Sequence, residues 1–376
     1  MIIENVQVFR EEQYFAPGEI VIHDGVFAKT ANSMKEEVID GEGCYAVPGL
    51  IDLHFHGCAG VDFCDAKGDT LRKMAEYEAS VGVTSICPAV MTMGEEELLA
   101  VMRTARNNQD GEGAKLTGIN LEGPFLNEKK KGAQAAEHIR NCDLKLYRSL
   151  QKESGGLIRI VDLAPEKEGA MEFIEAIRSE TVVSLAHTLA DYETSMEAFR
   201  RGASHVTHLF NAMPPLHHRE PGVIGAAYDT KSCRVELISD GVHVHPAAVR
   251  MVFRMFGAER VILISDSMRA TGLGDGQYTL GGQEVFVEGA RAVLEDGTLA
   301  GSVTNLMECV RKAVKEMGIP LEEALTCVTR NPALELGIYD RCGSIAPGKA
   351  ADLVLLDTKL QVKAVYINGK KFIPPC

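Results

Sequence analysis

Eight short apolar runs recur along the middle of this chain: LIDLHF, GVTSICPAV, KLTGINL, LIRIVDL, TVVSLAH, ASHVTHLF, RVELIS and VILISD. Segments with helical spacing of apolar residues separate most of them, among them TLRKMAEYEASVG, EEELLAVMRTARN, GAMEFIEAIRSE, YETSMEAFRRG and PAAVRMVFRMFG. A strand that is apolar on both faces has to be covered on both. Its alternation with helices therefore predicts a parallel sheet wrapped by helices. Eight such strands within about 220 residues fit an α/β fold of the (β/α)8 barrel type. An open doubly wound sheet competes, but its first strand should run into a G-x-G-x-x-G turn, and none stands there.

The two ends read differently. MIIENVQVF, EIVIHDGVFAKT and EEVIDGEG at the start, and ADLVLLDT and VKAVYINGKKF at the finish, are rich in β-branched residues. Asp24-Gly25 and Asn368-Gly369 are hairpin signals. Both ends are expected to pair into one small β domain, a β-sandwich of residues 1–50 and 335–376, with the barrel occupying 51–334. After VILISD comes a glycine-rich, β-rich stretch that reads as an extended hairpin loop, and helices are expected at about 303–317 and 320–330.

The chain has 376 residues, 45% hydrophobic and 24% charged, enough for a sizeable core. A formal net charge of −14 argues against a nucleic-acid partner, because phosphate backbones need basic surface. No run approaches the length of a membrane span, and MIIENVQVFREEQYF has no apolar stretch behind a basic end, so no membrane partner and no secretory leader are expected. Ten cysteines are scattered with no C-x-x-C pair. That predicts reduced thiols and a cytoplasmic protein.

In a barrel of this kind, chemistry gathers at the C-terminal ends of the strands. There the apolar runs deliver His54 and His56, Glu122, His187, His208, Asp240 and then His243, and Asp266, so that six of the eight strand ends carry ionisable groups. Side chains alternate along a strand, and His54 and His56 therefore face the same way. Alone, each residue has a structural reading: Glu122 or Asp266 as a cap, His187 and His208 as satisfied buried histidines. Jointly they predict a ring. Such a charged cluster in an apolar mouth needs a counter-charge, and imidazole with carboxylate suits Zn, Fe or Mn better than Mg or Ca. Cys58 and Cys64 are read as small buried thiols, Lys129-Lys130-Lys131 as a solvated charge run, and the glycines near 272–282 as turns.

The H-x-H of the first strand, LEGPF, AHT, THLFNAM, REPG, DGVHV and LAGS, with the closing GSIAPGKAADLVLLD, resemble the N-acetylglucosamine-6-phosphate deacetylases of the amidohydrolase superfamily. The resemblance runs nearly end to end. It implies a primary divalent metal on Glu122, His187 and His208, a second on His54 and His56, and Asp266 as general base and acid. It assigns substrate contacts to Ala133, Gln134, Asn211, Ala212, Arg219, His243, Leu299, Ala300 and Gly301, with His243 also beside the reacting carbonyl or the sugar. Arg219 is expected at the phosphate, from across a subunit interface of a homodimer. The implied substrate is a small phosphorylated amino sugar. One departure stands out: the family usually carries His after Ala133, and this chain has Gln134, which leaves room for an epimeric N-acetylhexosamine 6-phosphate while the metal site is expected to be unaffected. Two rivals are a cyclic amidase, which usually bridges two metals with a lysine at the end of strand four, absent from LIRIVDLAPE, and a scaffold that has lost its ligands.

Overall fold

The computed structural model describes residues 1–30, 36–109 and 111–374. The parts of the expected end domain at 31–35 and 375–376 lie outside the described residues.

The eight apolar runs are strands at Leu50–Asp52, Val83–Ile86, Ile119–Glu122, Ile158–Leu163, Val182–Leu185, His205–Val206, Arg234–Ile238 and Val261–Ile264. Every pairing among them is parallel. The strand at Ile119–Glu122 starts an unbroken parallel path to Val261–Ile264, and Leu50–Asp52 pairs with Val83–Ile86. A backbone bond from Cys87 N to Asp52 O (2.8 Å) extends the first pair, and one from Asn120 N to Pro88 O (3.0 Å) links the two groups. On the far side, Asp266 N donates to His54 O (3.0 Å) and His56 N to Ser267 O (2.7 Å). The result is a curled parallel sheet. Its strands are buried along most of their length, Arg159 alone among them being exposed and Val182 and Arg234 half-buried, because helices cover them: Thr70–Ser80, Glu95–Asn107, Ala170–Ile177, Tyr192–Arg201 and Pro246–Phe256 lie where helical spacing placed them. Two further helices, Leu144–Glu153 and Gly222–Asp229, went unread in the sequence. The first starts at Asp143, whose carboxylate accepts from the amides of Lys145 and Leu146.

The stretch after the last strand forms an antiparallel hairpin insertion at Gly276–Leu280, Gln283–Glu288 and Arg291–Val293. Helices follow at Leu306–Lys315, Leu321–Val328 and Arg330–Glu335.

Both chain ends enter one eight-stranded sheet, in which Leu353–Leu356 lies between Tyr45–Pro48 and Val362–Ile367. The two hairpin signals are tight turns: Asp24 and Gly25 have φ of 48° and 79°, Asn368 and Gly369 of 47° and 72°. Positive φ at both central residues is what a turn matching strand twist requires. Among the described residues, no helix is long and apolar enough to cross a membrane.

Candidate metal centre and its cavity

The C-terminal strand ends open into a cavity of about 470 Å³. At its floor Glu122 ends its strand, fully buried. Two imidazoles meet its carboxylate: His187 Nε2 and His208 Nε2 each lie 3.2 Å from Oε1 and 3.1 Å from one another. His54 Nε2 stands 3.4 Å from the same oxygen. On the other side His56 Nε2 lies 3.5 Å from Glu122 Oε2 and 3.2 Å from Asp266 Oδ1. Three possible cation-holding groups result among the described residues: Glu122 with His187 and His208, His54 with His56 and Asp266, and His54 with Glu122 and Asp162.

The backbone is bent to achieve this. His187, His208 and Asp266 each sit two residues past a strand, with φ of 44°, 29° and 49°. Non-glycine residues rarely adopt this left-handed region, and such strain gathers at functional sites. Here it turns three side chains inward.

Three of the four far ring nitrogens are spoken for, while the buried Nδ1 of His208 has no hydrogen-bond partner among the described residues. His54 Nδ1 donates to Glu236 Oε2 (2.9 Å), His56 Nδ1 to the carbonyl of Ala89 (3.3 Å) and His187 Nδ1 to the carbonyl of Lys130 (2.7 Å). Such partners fix ring orientation and leave Nε2 to face the centre. The buried Nε2 of His54 has no hydrogen-bond partner. Facing nitrogens with few protons to share, gathered on one carboxylate oxygen, are a poor hydrogen-bond network. They are a good donor set for a small divalent cation with bonds of about 2 Å. The residues fit such an ion.

The electrostatics agree. Burial pushes the Glu122 carboxyl up, but the imidazoles, His54 foremost, hold it well below the usual carboxylate range. Asp266, likewise opposed by burial, is lowered by His56 and His54. His243 lines the cavity, and its Nδ1 meets Asp240 Oδ2 at 2.7 Å. That carboxylate raises the imidazole against its own desolvation.

Of the residues implied for substrate, Ala133, Gln134, Asn211, Ala212, His243, Leu299 and Gly301 line the cavity. Ala300 is fully buried behind it. Arg219 is exposed, does not line this cavity, and has His218 Nε2 2.7 Å from its Nη1. Two expectations change. Lys129, Lys130 and Lys131 are part of the cavity wall, so the charge run does more than meet solvent. Gln134 is bonded to the metal-site glutamate itself, its Nε2 lying 2.7 Å from Glu122 Oε2. The amide reaches there because a turn folds its loop back over the site, and the departure from the family pattern therefore touches the metal centre.

Other residues went unread. Asp162 lies deeper, its carboxyl pushed well up by burial. Glu236 joins His54 to His205, with Oε1 3.1 Å from His205 Nε2, and His205 Nδ1 lies 2.9 Å from Glu335 Oε1. A charged residue inside the apolar run RVELIS was the available signal for Glu236.

Residues 45–372 match the amidohydrolase family. The chain is 39% identical to the N-acetylglucosamine-6-phosphate deacetylase of Bacillus subtilis (strain 168), over 98% of this chain and 96% of that one. It is 37% identical to the N-acetylgalactosamine-6-phosphate deacetylase of Escherichia coli O157:H7, over 97% of each. Its fold superimposes on an N-acetyl-D-glucosamine-6-phosphate deacetylase variant from Mycobacterium smegmatis, solved in complex with N-acetyl-D-glucosamine-6-phosphate, with a TM-score of 0.91 at 32% identity over 99% of this chain and 98% of that one. The chain thus belongs to the amidohydrolase family, in the branch of its N-acetylglucosamine-6-phosphate deacetylases, and is a hydrolase.

Proposed function

We propose that this protein removes acetate from N-acetylglucosamine 6-phosphate, giving glucosamine 6-phosphate in amino-sugar breakdown. The observation that carries this reading is the gathering of His187 Nε2 and His208 Nε2 within 3.2 Å of Glu122 Oε1 at the floor of the cavity. The names of the relatives supply the substrate.

Glu122, His187 and His208 would hold a divalent ion, with Zn, Fe and Mn the candidates, and His54, His56 and Asp266 would offer a second place. Such an ion lowers the pKa of a water to about 7 and polarises an amide carbonyl. Asp266, kept ionised by its imidazole neighbours, takes the proton from the attacking water and returns it to the departing amine. His243, held by Asp240, donates to a sugar or carbonyl oxygen. Asn211, Ala212, Leu299 and Gly301 shape the space around the sugar, with Ala300 behind them.

A phosphate needs cations, and the wall supplies Lys129, Lys130 and Lys131. Arg219 joins them from the second subunit of a homodimer. In support, Arg219 stands outside its own chain's cavity, and Leu189 and Leu216 are exposed on neighbouring loops. The closing hydrogen bonds from Asp266 N to His54 O and from His56 N to Ser267 O support a complete (β/α)8 barrel over 51–334, and the sheet shared by both chain ends supports a separate β domain of 1–50 and 335–376. Nine unpaired cysteines among the described residues support a reducing, cytoplasmic setting.

A second reading, the epimeric N-acetylgalactosamine 6-phosphate, is favoured by Gln134 and by the 37% identical Escherichia coli relative. Acetate release from the 6-phosphates of N-acetylglucosamine, N-acetylgalactosamine and N-acetylmannosamine, each beside its unphosphorylated form, decides. The first is expected to be fastest. A faster galactosamine epimer would install the second reading, and release from none would end both.

A further inference from the structure

Gln134 is 1% exposed, and its two amide atoms have different partners. The amide N–H of Thr92 donates to its Oε1 at 2.7 Å, which only an oxygen can accept. Its Nε2 consequently faces Glu122 Oε2, also at 2.7 Å. The loop that carries it is pinned on both sides: Gln134 N donates to Lys131 O (2.9 Å), and Gln283 Nε2 of the hairpin insertion donates to Ala133 O (2.6 Å). One neutral side chain thereby ties the chain beyond the second strand to the carboxylate that ends the third.

A carboxylate has two oxygens of equal basicity, and a cation can take one or both. Here the two are made unequal. Oε2 receives the Gln134 N–H, while Oε1 is left facing the Nε2 atoms of His187, His208 and His54. We propose that Gln134 is a positioning residue that restricts Glu122 to one oxygen toward the cation shared with His187 and His208. An amide suits the task because it donates a hydrogen bond, carries no charge and does not titrate between acid and alkaline pH. It leaves the full negative charge of Glu122 to the ion and holds the carboxylate plane against rotation. A partner of this kind beyond the ligands changes metal affinity by about 10–100-fold when removed.

The inference rests on the reading of Glu122 as a metal ligand, and the test separates the two. Zn²⁺ affinity is measured by chelator competition on the wild-type chain and on Gln134→Met, which keeps the size and loses both hydrogen bonds. Both proteins are then loaded with Co²⁺, whose visible absorption reports coordination number. We expect Gln134→Met to bind Zn²⁺ about 10–100-fold more weakly and to alter the Co²⁺ band as Oε2 becomes free. An unchanged dissociation constant with an unchanged Co²⁺ spectrum overturns the proposal. If Gln134→Met does not fold, Gln134→Asn, too short to span Thr92 and Glu122 together, is expected to show the same loss, and wild-type affinity there overturns it equally. A wild-type chain that binds neither ion refutes the metal reading itself, before Gln134 is in question.

Discussion

Two sets of buried histidines and carboxylates share one curled sheet, and they differ in what they leave unsatisfied. At the C-terminal strand ends, His187 Nε2 and His208 Nε2 face each other at 3.1 Å over one carboxylate oxygen. Deeper in, His205 has both nitrogens on carboxylates, Nε2 on Glu236 and Nδ1 on Glu335, and Arg234 closes the far side of Glu335 at 2.5 Å. Both sets are built on buried histidines and carboxylates. The deep set is a finished ion-pair chain that needs nothing more. The upper set is unfinished until something positive and small arrives. Burial and histidine content alone do not mark a site; convergence of unshared lone pairs does.

The comparison can be broken from either side. The largest effect belongs to the upper set: Asp266→Asn is expected to cut acetate release by about 10²–10⁴-fold. The ion on Glu122, His187 and His208 is expected to stay, as metal analysis would show. Turnover at the wild-type rate would remove Asp266 from the proton's path.

The deep set should answer in stability instead. His205→Leu strands Glu236 and Glu335 without their shared cation, a loss of about 3–5 kcal/mol for a broken buried pair. Denaturant unfolding measures it, while metal content stays at the wild-type level. Its pH dependence has a definite sign. Burial opposes the charged form of His205, but Glu335 and Glu236 override it and lift the imidazole to about 10. A raised folded value means stability that is complete below about pH 6.5 and fades as pH climbs toward 10. The deficit of His205→Leu should therefore shrink between those limits, and a deficit that grows there would contradict the pairing. On the acid side Glu335, held below its usual value by His205 against burial, loses its share as pH falls through that lowered value.

The smallest expected effect lies at the rim. Arg219→Ala should raise KM for the phosphorylated sugar by about 10-fold or more, the worth of a charge-assisted hydrogen bond, and leave the unphosphorylated sugar nearly unchanged. Equal changes for both sugars would take Arg219 away from the phosphate.

Much of the upper set was legible because each member ends an apolar run, where a polar residue has no structural excuse. His54, Glu122, His187, His208 and Asp266 could be picked out one strand at a time. The deep set could not. His205 opens its strand and Glu335 belongs to a helix 130 residues further on, so that only the folded chain brings them together. Gln134 was visible as an unusual residue, yet its bond to Glu122 depends on a loop folding back, which no spacing encodes. Lys129 to Lys131 were half legible: the run meets solvent as expected, and only the fold shows that it also stands in the cavity wall. The helix at Leu144–Glu153 was missed because its sequence, LKLYRSLQKE, is mostly polar and its apolar stripe is narrow.

The sheet built from both termini sets a timetable for synthesis. Tyr45–Pro48 leaves the ribosome early, yet one of its neighbours, Leu353–Leu356, is made some three hundred residues later. At about 5–20 residues per second, that strand spends roughly 15–60 s with a bare hydrogen-bonding edge. A chain that stops before Leu353 never covers it, and the cell has reason to treat such a fragment as waste.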